Sequence, residues 1–172
     1  QRIERIQDGG PSGALLTGFR ALDNLFGGLP PTLCVVVGLP GQAKSAVGAS
    51  ILRNAAKRGE NIAAFFPEDR KEWLAYRHLA HESGLSQFAL RNCKLPEGDW
   101  NAYGYADAAI REWTGTVYID DRRGIRPADL LLAARQAYQE KQAVAVFVDN
   151  MSSIPFARGH RMDLEISDFL EE

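Results

Sequence analysis

The sequence predicts an α/β fold, a mainly parallel sheet with helices on both of its faces. Short apolar runs rich in β-branched residues alternate with amphipathic stretches at helical spacing, and a glycine-rich turn joins the first such run to the first long helix. Strands that alternate with helices in this way form parallel sheets. The 172 residues are enough for one domain with a core of its own. We expect a linker over residues 1–13 and the domain over residues 14–172.

The elements follow in order along the chain. A β-branched-rich run at 33–37 predicts a first buried strand, in which Cys34 would be a small buried side chain. Further strands are predicted at 62–66, 117–120 and 144–148. Helices are predicted at 44–58, which stops before Gly59, at 69–83, at 99–113, at 127–141 with Pro127 at its start, and from 162 to the end.

Charge and composition limit the functions that fit. The net charge is −2 and the pI about 6.0, so contact with nucleic acid would need a local basic patch rather than an overall basic field. The two cysteines lack metal-ligand spacing and indicate a reducing compartment. Apolar runs are far shorter than the about 20 residues of a membrane span. No signal peptide is visible, and we expect a cytoplasmic protein without a membrane partner.

The turn after the first apolar run has the pattern of a phosphate-binding loop. Backbone N–H groups of such a loop and of the following helix hold phosphate oxygens, while a lysine reaches the outer phosphates and a serine hydroxyl binds Mg²⁺. The alternative is an ordinary glycine-rich turn with a surface lysine. The residues predicted to bind the nucleotide phosphates are Gly38, Pro40, Gly41, Gln42, Ala43, Lys44 and Ser45.

Two carboxylates follow predicted strands. Asp149 ends the last apolar strand, where an acid can help to hold Mg²⁺. Glu68 comes just after the strand at 62–66 and could polarise an attacking water, but a carboxylate there could equally favour the start of the next helix. The residues alone leave both interpretations of Glu68 open.

Taken together, these segments resemble the C-terminal ATPase domain of DnaB-type replicative DNA helicases, from residue 17 onward. The resemblance lies in the order and spacing of several short stretches, of which the phosphate loop is the most specific. It implies a RecA-like P-loop NTPase core. The stretches are Thr17-Gly18-Phe19 with Leu22-Asp23 and Gly27-Gly28-Leu29, the loop with Pro40, Phe65-Phe66-Pro67-Glu68, Leu95, Asp99-Trp100, Val117 to Asp121 through Arg126-Pro127, Phe147-Val148-Asp149 and Leu164-Glu165-Ile166-Ser167.

The resemblance implies roles for particular residues. Glu68 would be the catalytic base, and Lys44 would act on the phosphates. Ser45 and Asp149 would hold Mg²⁺. A loop with Arg158, His160 and Arg161 falls where the family contacts DNA. Arginines there can bind phosphates without contacting the bases. The alternative is a solvated basic loop.

The same resemblance implies ATP and Mg²⁺ as cofactors. The implied partners are single-stranded DNA, further copies of the chain in a hexameric ring, and a primase or a helicase loader. The family's remaining strands and its arginine finger would follow Glu172, so the domain is expected to be incomplete at its C-terminal end.

The chain departs from the family pattern at three positions. Ala43 stands where the loop has glycine; if the loop needs a positive φ there, alanine costs about 1–2 kcal/mol and Ala43→Gly should tighten nucleotide binding. Asn150 and Ser152 stand where the family has a tyrosine and a glutamine. Two other functions stay open: another RecA-fold ATPase, recombinase-like or clock-type, and a non-hydrolysing relative that serves in DNA binding or assembly. The three departures favour only the second of these.

Overall fold

A computed structural model describes residues 13–155, which contain a sheet of three parallel strands. The strands are β1 (Ile62–Phe65), β2 (Val117–Asp120) and β3 (Ala145–Val148), in the order β2-β1-β3. Ile62 of β1 is in register with Val117 of β2 and with Ala145 of β3. The carboxyl ends of all three strands therefore meet at one edge of the sheet.

Six α-helices and two short 3-10 turns connect or flank these strands in the described range. The 3-10 turns span Glu97–Asp99 and Met151–Ser153. The helices are α1 (Arg20–Phe26), α2 (Lys44–Lys57), α3 (Lys71–Ser83), α4 (Gln87–Arg91), α5 (Trp100–Arg111) and α6 (Pro127–Lys141).

Helices cover both faces of the central strand. Side chains alternate between the faces of a strand, so Ile62 and Ala64 point one way while Ala63 and Phe65 point the other. The first pair packs with Leu52 and other residues of α2 and with α3, and the second packs with Leu130 of α6. All four residues of β1 are buried. The predicted class, a parallel sheet with helices on both faces, is confirmed.

The segment before the sheet is held together by one partly buried carboxylate and tied to α2 by one asparagine. Asp23 accepts hydrogen bonds from the N–H groups of Thr17 and Gly18 and from the Thr17 hydroxyl, at 2.7–2.8 Å. Burial raises the pKa of Asp23, but these hydrogen bonds outweigh it and the pKa is lowered overall. Asn54 of α2 donates to the Thr17 carbonyl at 2.8 Å. The stretch from Thr17 to Asp23 thus fixes α1 beside α2.

The predicted first strand is wrong. Residues 33–37 lie outside the sheet, and Val35 and Val37 are 68% and 89% exposed. Cys34, expected to be buried, is exposed as well. A strand requires a neighbour for its backbone N–H and C=O groups, and within residues 13–155 β3 is paired only with β1.

The other strands and the long helices form within two residues of their predicted ends, and the short helices α1 and α4 were not predicted. The linker at 1–13 and the helix from 162 fall wholly or almost wholly outside the described residues.

Candidate functional site

The glycine-rich loop leads directly into α2, which begins at Lys44. The Lys44 ammonium group folds back over the loop and donates to the carbonyls of Gly38 at 2.8 Å and Leu39 at 3.0 Å. Gln42 closes the loop from the other side, because its side-chain oxygen accepts from the Leu39 N–H at 2.8 Å. The lysine is therefore held over the loop that leads into the N-terminus of α2.

Ala43 adopts the backbone conformation that the loop's usual glycine would supply. Its φ is 59° and its ψ is 21°, in the left-handed region, and it is the N-cap residue of α2. Its carbonyl accepts from the N–H groups of Ala46 and Val47, both at 3.0 Å. The turn into α2 thus keeps its shape, although alanine lacks the conformational freedom of glycine.

The candidate acids lie at the carboxyl edge of the sheet. Glu68 is exposed three residues after β1, and Asp149 directly follows β3. The Asp149 N–H donates to the Phe65 carbonyl at 3.0 Å, so the ends of β1 and β3 are joined there. Glu68 and Asp149 are therefore brought to the same end of the sheet, as the sequence predicted.

Asn150 connects the two strand ends through side chains. Its amide nitrogen donates to Glu68 Oε2 at 3.1 Å. Its amide oxygen accepts from the hydroxyls of Ser152 at 2.5 Å and Ser153 at 2.8 Å. From the sequence, Asn150 and Ser152 were only departures from a pattern. No spacing rule predicts a contact between residues 82 positions apart.

Helix α2 runs antiparallel to the strands, which brings its N-terminus to the same edge. Near its end, the Ala56 carbonyl accepts from the N–H of Gly115, just before β2, at 3.0 Å. Nearer its start, Gly48 faces the Phe147 ring of β3 so closely that a Cβ atom at Gly48 would lie 2.2 Å from it. Ser45 is about one helical turn before Gly48, and Asp149 is two residues beyond Phe147, directly after β3 ends.

The neighbouring basic residue Arg122 is engaged in an ion pair. Its guanidinium contacts both carboxylate oxygens of Asp120, at distances down to 2.6 Å. These hydrogen bonds lower the pKa of Asp120. Arg122 therefore belongs to an exposed turn after β2. Arg158, His160 and Arg161, the predicted DNA contacts, lie outside the described residues.

A separate cavity of about 310 Å³ lies between α3, α5 and β2, and Leu74, His78, Ile110 and Trp113 are among its lining residues. Burial, with a smaller contribution from the charge of Arg53, lowers the pKa of His78 to about 4. The histidine is therefore neutral at pH 7. It belongs to the packing of α3 rather than to the edge where Glu68 and Asp149 meet.

Sequence comparison relates the chain to replicative DNA helicases. The profile of the DnaB-like helicase C terminal domain family matches residues 14–171. The replicative DNA helicases DnaB of Geobacillus stearothermophilus and DnaC of Bacillus subtilis are each 31% identical over 140 residues, which is 80% of this chain and 30% of theirs. DnaB of Treponema pallidum is 31% identical over 163 residues, 91% of this chain and 37% of its own length.

A solved structure of a DnaB-like replicative helicase, described together with its interactions with primase, shares the fold. It superposes with a TM-score of 0.77 at 16% identity and covers 91% of this chain and 38% of that one. The chain belongs to the DnaB-like helicase C-terminal domain family. It spans about a third of the length of the curated relatives that it matches. No helix within residues 13–155 has both the length and the apolar character needed to cross a bilayer.

Proposed function

We propose that this chain is the ATP-binding and ATP-hydrolysing motor core of a DnaB-type DNA helicase. The observation that carries the proposal is the position of Lys44, which begins α2 with its ammonium group held over the carbonyls of Gly38 and Leu39. A cation and a helix N-terminus that converge on one loop form a site for phosphate groups. Family membership supports ATP as the nucleotide that supplies them.

The residues present fit a magnesium–nucleotide complex. Mg²⁺ in such sites takes one or two protein oxygens and completes its shell with phosphate and water. Because Gly48 packs against Phe147, Ser45 and Asp149 lie toward the same edge of the sheet, and their side-chain oxygens would be the protein ligands of the ion. When bound, the ion would neutralise charge on the phosphates. Lys44 would exchange its loop carbonyls for phosphate oxygens.

Glu68 is proposed as the general base. It is exposed at the same edge as Asp149, and the Asn150 amide contacts one of its two carboxylate oxygens, Oε2. The second oxygen can accept a proton from an attacking water, which is the task of a base in phosphate hydrolysis. A carboxylate whose only role was to favour the start of α3 would not need a hydrogen bond from Asn150.

The remaining parts of the proposal rest on the family. Arg158, His160 and Arg161 would contact the phosphates of single-stranded DNA without sequence preference. The chain would act with further copies in a hexameric ring, in the cytoplasm and during DNA replication. The structural relative described with primase supports a primase as a partner, and a helicase loader is a second candidate.

Replacement of Glu68 by glutamine in the intact protein tests the proposed base. Glutamine keeps the shape and can still accept from Asn150 but cannot take a proton, so turnover should fall by about 10²–10⁴-fold while Mg-ATP affinity stays within about twofold. Glu72→Gln, at an exposed acid in the first turn of α3, is the matched control and should keep full turnover. Undiminished hydrolysis by Glu68→Gln would leave Glu68 as a helix-start carboxylate.

The same experiment separates the competing functions. The departures from the family pattern at Ala43, Asn150 and Ser152 favour a non-hydrolysing relative, and an intact wild-type protein that binds Mg-ATP without turnover would support it. ATP hydrolysis without displacement of a DNA strand would instead favour another RecA-fold ATPase. Hydrolysis together with strand displacement is the result expected of a helicase.

A further inference from the structure

Asn150 lies just after β3. Its side chain forms hydrogen bonds both with Glu68, in the loop after β1, and with the turn Met151–Ser153 that follows it. The amide nitrogen is 3.1 Å from Glu68 Oε2, and the amide oxygen is 2.5 Å from the Ser152 hydroxyl and 2.8 Å from the Ser153 hydroxyl. Ser153 is partly buried within the turn Met151–Ser153. The asparagine is thus anchored at one end and reaches the candidate base at the other.

The chemistry of the partners fixes which way the amide points. A carboxylate only accepts hydrogen bonds, so the amide nitrogen has to face Glu68. The amide oxygen then faces the two serines, whose hydroxyls donate to it. Each of the three hydrogen bonds would be broken or reversed if the amide were turned over. The network therefore has one favourable arrangement, which holds the nitrogen toward Glu68.

Glu68 depends on this hydrogen bond for its orientation. Its side chain is exposed and follows Pro67 in the loop after β1. Within residues 13–155, Asn150 is the only side chain that donates a hydrogen bond to it. A glutamate with free rotamers loses about 1–2 kcal/mol of conformational freedom when it is fixed in one position. A donor that holds it beforehand removes part of that cost from the reaction.

We infer that Asn150 is a positioning residue that orients Glu68 for attack on the nucleotide, with Ser152 and Ser153 holding the asparagine in place. The inference rests on the function proposed above, since it concerns the same base. It assigns a task to two of the positions at which the chain departs from its family. Asn150 acts through Glu68 and does not itself contact the nucleotide, so its replacement should affect the rate of hydrolysis and not the binding of substrate.

The test uses the intact protein with Asn150→Ala. We expect the kcat for ATP to fall about tenfold while the KM stays within about twofold, because only the orientation of the base changes. Asn150→Asp has the same shape but replaces the donor with a carboxylate that repels Glu68, and should reduce kcat at least as much. Asn101→Ala, at an exposed asparagine in α5, is the control and should match the wild-type protein.

Binding of phosphate analogues gives a readout that does not depend on turnover. ADP with aluminium fluoride imitates the phosphate under attack by water, and ADP with beryllium fluoride imitates the ground state. Asn150→Ala should weaken the first complex about tenfold in calorimetry and leave the second unchanged. Equal weakening of both complexes would show a general structural role and overturn the inference.

Combined variants separate this inference from the proposed function. If Asn150 acts through Glu68, adding Asn150→Ala to Glu68→Gln should cause no further loss of turnover. If the wild-type protein fails to hydrolyse ATP, or if Glu68→Gln hydrolyses it normally, the proposed function fails. If Glu68→Gln is inactive but Asn150→Ala keeps the wild-type kcat and the wild-type affinity for the aluminium fluoride complex, the inference alone is overturned.

Discussion

Replacement of Ala43 by glycine should stabilise the folded protein. Ala43 has a φ of 59° and a ψ of 21°, a conformation that costs a residue with a Cβ atom about 1–2 kcal/mol. Its side chain is exposed, so little packing disappears with the methyl group. Glycine also raises the conformational entropy of the unfolded chain, which lowers the stability of the folded state by about 0.4–1 kcal/mol. The net gain in the free energy of unfolding is therefore about 1 kcal/mol.

The strain at Ala43 should be seen in stability rather than in nucleotide affinity. The sequence alone suggested that it would weaken nucleotide binding. The left-handed conformation is set by the turn into α2, where the Ala43 carbonyl accepts from the N–H groups of Ala46 and Val47. The strain is therefore present in the folded protein both with and without nucleotide, so it should not change the binding affinity. Ala43→Gly should raise the Tm by about 2–4 °C, with Mg-ATP affinity changed by less than about threefold.

Thermal unfolding and calorimetry on Ala43→Gly test both parts of this reasoning. Ala46→Gly is the matched control, because Ala46 is an exposed residue inside α2 and glycine there should cost about 0.5–1 kcal/mol. The argument would be refuted if Ala43→Gly lowered the Tm as the control does. An unchanged Tm with nucleotide binding about five- to thirtyfold tighter would place the strain in the bound state instead.

Three further predictions concern other parts of the chain. Gly48→Ala should destabilise the fold by about 1–2 kcal/mol in denaturant unfolding, because the new Cβ atom would lie 2.2 Å from the ring that it faces; Gly104→Ala, with nothing within 4 Å, should stabilise it by about 0.5–1 kcal/mol. His78→Leu should flatten the loss of stability between about pH 6.5 and pH 4, measured by denaturation across that range. Removal of charge at Arg158 and Arg161 should weaken binding of single-stranded DNA and reduce its log–log salt slope by about 0.7 for each phosphate that is no longer neutralised.

The sign of the His78 effect follows from its lowered pKa. The folded protein keeps His78 neutral down to about pH 4, whereas the unfolded chain takes up a proton near pH 6.5. Acid therefore favours the unfolded state by up to about 3 kcal/mol as the pH falls through that window, and the stability is fully present above it. Equal pH dependence in the wild-type protein and His78→Leu would contradict burial of a neutral histidine.

The other two predictions have equally direct contrary outcomes. If Gly48→Ala were as stable as Gly104→Ala, α2 would not approach β3 as closely as the structure shows. If variants of Arg158 and Arg161 bound DNA with the wild-type affinity and salt slope, the loop would be a solvated basic loop. That outcome would leave the nucleotide site untouched.

Local pattern predicted most of the fold because each element carries its own signal. The run of buried residues in β1, the glycine after α3 and the proline at the start of α6 are all visible in a few consecutive residues. The run at 33–37 carries the same signal and yet is not a strand, because pairing depends on a neighbour elsewhere in the chain. Periodicity indicates that a segment could be buried, not that a partner is there to bury it.

The parts of the candidate site that are formed by residues close together in the sequence could be predicted. The loop from Gly38 to Ser45 and the acids that follow β1 and β3 could be chosen from their place after predicted strands. The hydrogen bond between Asn150 and Glu68 could not, because it joins two loops that only the parallel register of β1 and β3 brings together. The sequence could not predict the positive φ of Ala43, because residue type alone does not determine backbone angles. It predicted only what would follow if the loop required a positive φ there.

Calorimetric titration of Mg-ATP into the wild-type protein and Lys44→Ala tests the central claim most directly. Lys44 is only partly buried, and its ammonium group contacts loop carbonyls rather than the core, so the variant should fold normally. Removal of a charge-assisted hydrogen bond of about 1.5–3 kcal/mol predicts an affinity about ten- to a hundredfold weaker. Equal affinity of the wild-type protein and the variant would contradict a phosphate-binding loop at Gly38–Ser45, and with it the assignment of this chain as an ATP-driven motor.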